Sequence, residues 1–585
     1  MGGSGAVETG AGGTGNTESC EATCDGACCG EVCVDLESDI NHCGVCGVVC
    51  DLNQAEEACV AGSCVVTQCW DNAVDCNGVA SDGCERKEAG VPETPMPTRP
   101  MLGAFTGSLH ARDEIGSLRP RFVWSEVEPV TCDVVTYQVQ VDDECELESF
   151  DDCDFTSPEL DVTGIRAETF TPAADLPVEE MEAPLGRRYY WRVRACEGAL
   201  VCSDWSEVFY VDVGRVREDV TGDGYPDVVG VTEERELFFV RGSADFYDEA
   251  EFEMIPTSEM ALASEFPHLS FLGDVDGDGF NDVSGVGLDP SRDARAIYVW
   301  RGAQAFGAVP EVLVASGTRE RRYPSGAWSA GDYDRDGFAD LVMLIRPSTD
   351  PAAWWILKFG GRTLADSPAD ELRLRPSDPA PSGTTQVVST AARGDFNGDG
   401  YPDLATNVYP FQEGVAFVLG DVDTDPQIVP VFPSGDVCRP TMATLDFNGD
   451  DIDDLGVMCR NEPRLAVVMG RRDFESDAVK VWKVGLETQY ADLAAGDIDN
   501  SGFDDLIVSD GTTFLGAAEP DDDSADFLGS EKTYEPIVVS DHNADGELDV
   551  LRAFHWYIGW VTAETSDKEL YTADGEELEV AALAR

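Results

Sequence analysis

Positive charge is scarce in this sequence. Lys and Arg together number 39 against 114 Asp and Glu, a formal net charge of −75. Such a chain repels phosphate backbones and anionic lipid, which excludes nucleic acid and a polybasic membrane contact. The excess acid must be solvated, paired or matched by cations. No stretch approaches about 18 consecutive apolar residues, so no transmembrane helix is expected. Histidine is rare, at His42, His110, His268, His542 and His555. None lies in HExxH, and a GxSxG elbow, a Walker A loop and a GxGxxG after a strand are all missing. The familiar metalloprotease, hydrolase and nucleotide-binding signatures are therefore excluded. Paired carboxylates are so frequent that they nominate no glycosidase dyad. Residues 1–19 contain no Lys, no Arg and no apolar core, and they read as a flexible Gly/Ser linker.

What is present is length, turns and cysteine. At roughly 150 residues per domain, 585 residues hold about three to five domains. The 58 Gly and 31 Pro point to many turns and short strands. Of the 20 cysteines, 13 fall between Cys20 and Cys84. Such crowding among few large apolar residues reads as a disulfide framework made in an oxidising compartment. Zinc is the competing reading, resting on Cys43, Cys46 and the adjacent His42, without a second CxxC at zinc-ribbon spacing. The framework places the protein outside the cell or on its surface. We expect the export signal, and any lipid anchor, to lie upstream of residue 1.

Three regions precede a repeat. Residues 20–87 form a Cys-rich module whose CEATCDGACCGEVC and DCNGVASDGCE strings resemble cysteine-rich repeats of predicted secreted bacterial proteins. Residues 88–100, EAGVPETPMPTRP, read as a Pro-rich linker, so a fragment lacking residues 1–100 should stay soluble. Residues 101–213 alternate as RFVWSEV, VTYQVQVDD, RYYWRVRAC and SEVFYVDV, the pattern of a β-sandwich. The run Tyr189-Tyr190-Trp191 followed by CSDWS resembles the last two strands of a fibronectin type III-like domain. Trp191 and Trp205 are expected to pack or to stack on arginine, and Cys196 and Cys202 to staple the hairpin.

From residue 214 to 585 the chain repeats. Seven segments fit D-x-[DNT]-x-[DS]-[GD]-x-x-D, starting at 219, 274, 332, 395, 446, 497 and 541. In such a loop, positions 1, 3, 5 and 9 turn side-chain oxygens inward and position 7 adds a carbonyl. Glycine at position 6 permits the bend that wraps oxygens about 2.3–2.6 Å from Ca²⁺. The first loop offers Asp219, Thr221, Asp223 and Asp227 with the carbonyl of Tyr225. The second offers Asp274, Asp276, Asp278 and Asp282 with Phe280; the third, Asp332, Asp334, Asp336 and Asp340 with Phe338. The fourth has Asp395, Asn397, Asp399 and Asp403 with Tyr401; the fifth, Asp446, Asn448, Asp450 and Asp454 with Ile452. The sixth has Asp497, Asp499, Ser501 and Asp505 with Phe503; the seventh, Asp541, Asn543, Asp545 and Asp549 with Glu547. Position 12 never carries the bidentate Glu of an EF-hand. The loops at 274 and 332, with four aspartates, should bind most tightly. Those at 446 and 497 should be weakest, since Asp451 replaces glycine and Ser501 a carboxylate. The bland alternative is a set of solvated acidic turns.

Position 10 is always Val or Leu, and position 2 is apolar except at His542, which reads as structural. Each loop should thus join two buried strands as a hairpin. A third strand follows, ending near Gly (ELFFVRG, AIYVWRG, VAFVLG), and then a fourth, more polar strand. Four strands per repeat make a propeller blade. The repeats resemble the FG-GAP or VCBS repeats of integrin alpha-chain propellers and their bacterial relatives. The resemblance implies an all-β chain: a seven-bladed β-propeller preceded by a fibronectin III-like β-sandwich and a small disulfide-rich module. It further implies several bound Ca²⁺ ions, one per loop, and a secreted or cell-surface protein acting in adhesion to a protein or glycan. The alternative is a propeller enzyme acting on extracellular polysaccharide.

Cys438 and Cys459 flank the loop at 446 almost symmetrically, which brings them within the about 7 Å that a disulfide spans. Non-reducing peptide mapping should recover them as one linked pair; two free thiols would refute the pairing.

Overall fold

Alternating patterns and closely spaced turns yield short strands, and among the described residues every regular element is a strand. The computed structural model describes residues 26–30, 32–70, 91–111, 117–130, 134–145, 153–197, 201–232, 236–246, 252–255, 261–262, 269–289, 294–307, 310–315, 326–345, 354–362, 371–374, 390–407, 415–420, 427–429, 440–459, 464–472, 481–485, 492–520, 525–526, 537–553, 558–562, 565–570 and 580–583, with Cys24, Ala73, Val79, Ser81, Gly83, Cys84, Leu364 and Val431 singly. The chain divides into two units, residues 1–94 with 126–137 and 194–204, and residues 95–125, 138–193 and 205–585.

In the first unit two hairpins, Ala27–Cys29 with Val32–Val34 and Ala55–Val60 with Ser63–Cys69, are held by disulfides. Five link Cys24 to Cys33, Cys29 to Cys46, Cys43 to Cys59, Cys50 to Cys64 and Cys69 to Cys84. Both cysteines of the CGVC string are thus consumed in disulfides, which removes the zinc reading. The module buries its own cystines, with Cys43, Cys50 and Cys59 packed together, while Val32, Val45 and Val49 stay exposed. Cross-links substitute for an apolar core.

Most residues of a β-sandwich belong to the second unit. A three-stranded sheet orders Thr169–Phe170, Phe122–Trp124 and Pro97–Arg99. Against it stands a sheet in the order Ala104–Phe105, Phe209–Val213, Arg187–Glu197, Val135–Asp142 and Leu160–Ile165. Trp191 is fully buried, its ring 4.9 Å from Phe122 and 6.0 Å from Phe209. Trp205 stacks under the Arg192 guanidinium at 4.5 Å. The Cys196–Cys202 staple forms as expected. The 88–100 boundary requires correction. Pro97–Arg99 is a strand paired with Phe122–Trp124, and Pro97 and Thr98 are buried. A cut at residue 100 would remove a sandwich strand.

Seven further sheets follow. In the second, Leu269–Gly273, Asp282–Asp289, Ala294–Trp300 and Glu311–Ala315 lie in that order, with Ala261–Leu262 also on Asp282–Asp289. The third to seventh repeat it, opening with Ala327–Gly331, Ala391–Gly394, Pro440–Leu445, Leu493–Gly496 and Ile537–Ser540. These opening strands pack side by side. Core residues interleave between neighbouring sheets: Val229 and Phe239 of the first meet Phe271 and Trp300 of the second. Position 10 of every loop is buried, as its apolar character required.

The first sheet departs from the expected hairpin. The chain reaches the loop at 219 from the sandwich strand Phe209–Val213, too few residues away for another strand to fit between. The vacant edge is filled by the C-terminal strand Val580–Leu583, antiparallel to Val228–Thr232. His542 sits where the seventh sheet meets the first. It is fully buried, 3.1 Å from the Pro226 carbonyl and stacked on Phe246. Burial lowers its pKa to about 4, so it stays neutral. Removal of residues 580–585 should expose the edge of Val228–Thr232 and speed amide exchange there by about tenfold or more. Unchanged exchange would contradict closure by this strand.

Candidate metal centres in the seven aspartate loops

Each loop is built from its own backbone. The position-1 carboxylate turns back onto the loop amides: Asp274 Oδ1 accepts from Gly277 and Asp278 (2.6 and 3.1 Å) and Oδ2 from Gly279 (2.9 Å). The same position-6 bond recurs at Asp219, Asp332, Asp395, Asp446, Asp497 and Asp541. Position 5 accepts the N–H of position 7, as Asp278 does from Phe280 at 3.0 Å. Ser501 Oγ does this more loosely for Phe503, at 3.4 Å.

Position 9 ties three strands. In all seven loops its Oδ2 accepts the position-2 N–H, from Val220 on Asp227 to His542 on Asp549. In six, Oδ1 accepts the N–H of the glycine that closes the third strand, as from Gly302 to Asp282 at 2.8 Å. That glycine is required by close approach, since a Cβ on Gly302 would lie 2.4 Å from the Asn281 carbonyl. Asp282, Asp340, Asp403, Asp454 and Asp505 are 0% exposed, so position 9 is held by amides and not by solvent.

Positive φ occurs at two places per loop, not one. Position 6 was legible as glycine. Position 4 is also left-handed, at Gly222, Gly277, Arg335, Gly398, Gly449, Asn500 and Ala544. The four glycines there were a readable signal that the sequence reading missed. Asp451, in place of the fifth position-6 glycine, takes φ 63°. It accepts Arg121 at 3.1 Å through its carboxylate and Arg99 at 2.7 Å through its carbonyl.

Those arginines belong to a wider contact between the sandwich and the loops. Position-6 carbonyls accept from Ser108 at Gly224 (2.5 Å), Arg188 at Gly337 (2.6 Å), Leu102 N–H at Gly400 (2.8 Å) and Arg99 at Asp451. Tyr401 donates to Glu207 at 2.6 Å, and Arg335 pairs with the same carboxylate at 3.1 Å. The sandwich therefore hydrogen-bonds the loops themselves.

Three loops bring oxygens of three carboxylates within 4.8 Å of one another: Asp274, Asp276 and Asp282; Asp332, Asp334 and Asp336; Asp497, Asp499 and Asp505. The loop at 497, expected among the weakest, gathers its acids as closely as the four-aspartate loops. In the fourth, fifth and seventh loops, Asn397, Asn448 and Asn543 donate to the position-5 carboxylate at 2.7, 3.1 and 2.7 Å. Arg301 lies 2.9 Å from Asp276 and 3.6 Å from Asp282, and Arg241 2.8 Å from Asp223. At the loop at 274, Arg301 thus offsets part of the acidic charge.

Burial and crowding raise the carboxyl pKa values. Desolvation, then Asp223, pushes Asp219 to about 7; desolvation, then Asp336, does the same for Asp332 and Asp334. Desolvation followed by Asp399 lifts Asp395 to about 8, and desolvation lifts Asp454 to about 8. An all-oxygen set whose charges disfavour one another in a partly buried site fits a hard divalent cation.

Residues 274–343 match the model of the FG-GAP-like repeat, and residues 387–419 that of the FG-GAP repeat. The chain carries FG-GAP repeats. Integrin alpha-IIb of Homo sapiens is 30% identical over 164 residues, covering 25% of this chain and 15% of the integrin. Integrin alpha-PS5 of Drosophila melanogaster is 29% identical over 149 residues, again 25% and 15%. The chain thus spans about 15% of the length of these integrins. The BP39L lectin of Burkholderia pseudomallei is 12% identical, covering 58% of this chain and 96% of the lectin at a TM-score of 0.36, a value on which no argument rests. The FG-GAP repeats and the all-β architecture make the repeat region a β-propeller.

Two outcomes test the loop chemistry. Gly302→Ala should destabilise the fold by about 1–3 kcal/mol in denaturant titration, because the Asn281 carbonyl occupies the Cβ position; a neutral effect would contradict the close approach. A carboxyl pKa raised by folding gives stability that is present below the unfolded value and lost as pH rises through the folded one. With the values of about 7 and 8 above, the melting temperature in chelator should fall between about pH 5 and pH 8. Saturating calcium should flatten that slope; a slope indifferent to calcium would refute the reading.

Proposed function

We propose that the protein is a secreted or surface-attached, calcium-stabilised seven-bladed β-propeller that binds a protein or glycan in adhesion. In this reading the sandwich is fibronectin III-like, and one Ca²⁺ sits in each competent loop on the oxygens of positions 1, 3, 5 and 9. The observation that carries it is the recurrence of one buried carboxylate pattern in seven FG-GAP-type loops. The integrin relatives support the adhesive role. The disulfide framework supports an extracellular setting, and among the described residues no helix is long and apolar enough to cross a membrane.

We infer the binding face from the sandwich contacts. Loops one, three, four and five hydrogen-bond the sandwich, and Pro184 lies against Gly279 of the second. The ligand is therefore assigned to the side away from the aspartate loops. A cavity of about 370 Å³ beside the sixth and seventh loops is lined by Thr106, Ser108, Ser117, Asp504 and Ser540 among others.

The full chain, immobilised and exposed to a glycan array and a panel of extracellular matrix proteins, should retain a ligand in calcium and release it in chelator. Binding that ignores chelation, or depolymerisation of a polysaccharide in the panel, would overturn the proposal.

A further inference from the structure

A second acidic cluster lies outside the propeller, at one end of the sandwich. Asp142 closes the strand Val135–Asp142, Asp143 follows it, and Glu159 immediately precedes the neighbouring strand Leu160–Ile165. The chain between the two strands is stapled by the Cys145–Cys153 disulfide. One oxygen from each of the three carboxylates lies within 4.8 Å of the others. Hydrogen bonds fix this arrangement: the Asp143 N–H donates to Glu159 at 3.1 Å, and the Glu144 N–H to Asp142 Oδ1 at 2.9 Å.

Acidic clusters are common on a chain of this charge, and proximity alone would mean little. The separate observation is Asp142 itself. Its residue is 2% exposed, and its Oδ2 is sealed from solvent with no hydrogen-bond donor. A buried carboxylate oxygen left without a donor is costly unless a cation or proton meets it. Arg187 pairs with Asp143 Oδ2 and reaches only that member of the cluster. Glu159 is exposed and Asp143 half-buried, so an ion has a route in from solvent.

We propose that Asp142, Asp143 and Glu159 form a calcium site of the sandwich, separate from the propeller loops. The donors are all oxygen, and three carboxylates less one arginine leave two negative charges for a divalent ion to match. Oxygen ligands suit Ca²⁺, whose coordination number is flexible. The ion would cross-tie the ends of two adjacent strands beside a disulfide already there. The rival account is a protonated Asp142, favoured by the burial that raises its pKa and needing no metal.

The test uses the full chain and calcium alone as the probe. Hydrogen exchange is followed at pH 7 in peptides covering 138–145 and 157–165, with and without calcium, in wild type and in Asp142→Asn/Glu159→Gln. In wild type, calcium well above its dissociation constant should slow exchange there by about tenfold or more. The double variant should lose that protection, keep it in the loop peptide 274–283, and bind one calcium fewer by native mass spectrometry. Protection that is absent in wild type, or that persists in the variant, overturns the proposal and leaves the protonated acid. Should the double variant lose protection at 274–283 as well, Asp143→Asn replaces it, with the same two outcomes.

Discussion

The ninth aspartate of each loop is the group on which the repeat architecture depends. It ends the turn into the second strand and spends one oxygen on the position-2 amide and, in six of the seven loops, the other on the glycine that closes the third strand. One buried carboxylate thus fixes turn, hairpin and outer strand together. Its burial carries an electrostatic cost, evident in the upward pKa shifts of Asp282, Asp340 and Asp403, where desolvation is the leading cause. A carboxylate that must stay ionised in such surroundings needs donors and cations. The amides supply the former. In the second loop Arg301 supplies part of the latter.

Much of this was legible in sequence because the pattern is local. The spacing D-x-[DNT]-x-[DS]-[GD]-x-x-D fixes which oxygens converge, and the invariant Val or Leu at position 10 fixes which side of the following strand is buried. The Cys196–Cys202 staple was readable for the same reason, as the two residues flank one turn. Features that depend on distant residues were not. Nothing in Val580–Leu583 announces that it pairs with Val228–Thr232, since that partner lies some 350 residues earlier. The Pro-rich stretch before residue 100 reads as a linker by composition, yet Pro97 and Thr98 are buried because Gly400 admits their backbone. Asp451 looked like a defective loop residue. Its partners Arg99 and Arg121 are more than 300 positions away, and only the fold brings them to it.

The sandwich contacts alter how the loops should be viewed. A position-6 carbonyl is presented by the same left-handed turn that wraps the candidate ion site, and four such carbonyls accept donors from the sandwich. Loop geometry and sandwich docking are therefore mechanically linked, and a cation that stiffens the loops would stiffen the contact. The Arg188–Asp212–Arg215 network lies on the sandwich side of that contact, with Asp212 buried between two guanidinium groups at 2.9 and 3.2 Å. Desolvation opposes ionisation of Asp212, but the two arginines prevail and hold its pKa below the usual carboxylate range. This network gives the interface one orientation.

The central claim is that the loops are cation sites and not merely acidic turns. Calorimetric titration of the chelator-stripped full chain with calcium tests it most directly. The account predicts saturable uptake of several ions, including those of the loops at 274, 332 and 497, and loss of one equivalent in Asp334→Asn/Asp336→Asn. No measurable uptake, or uptake unchanged by that substitution, would contradict it.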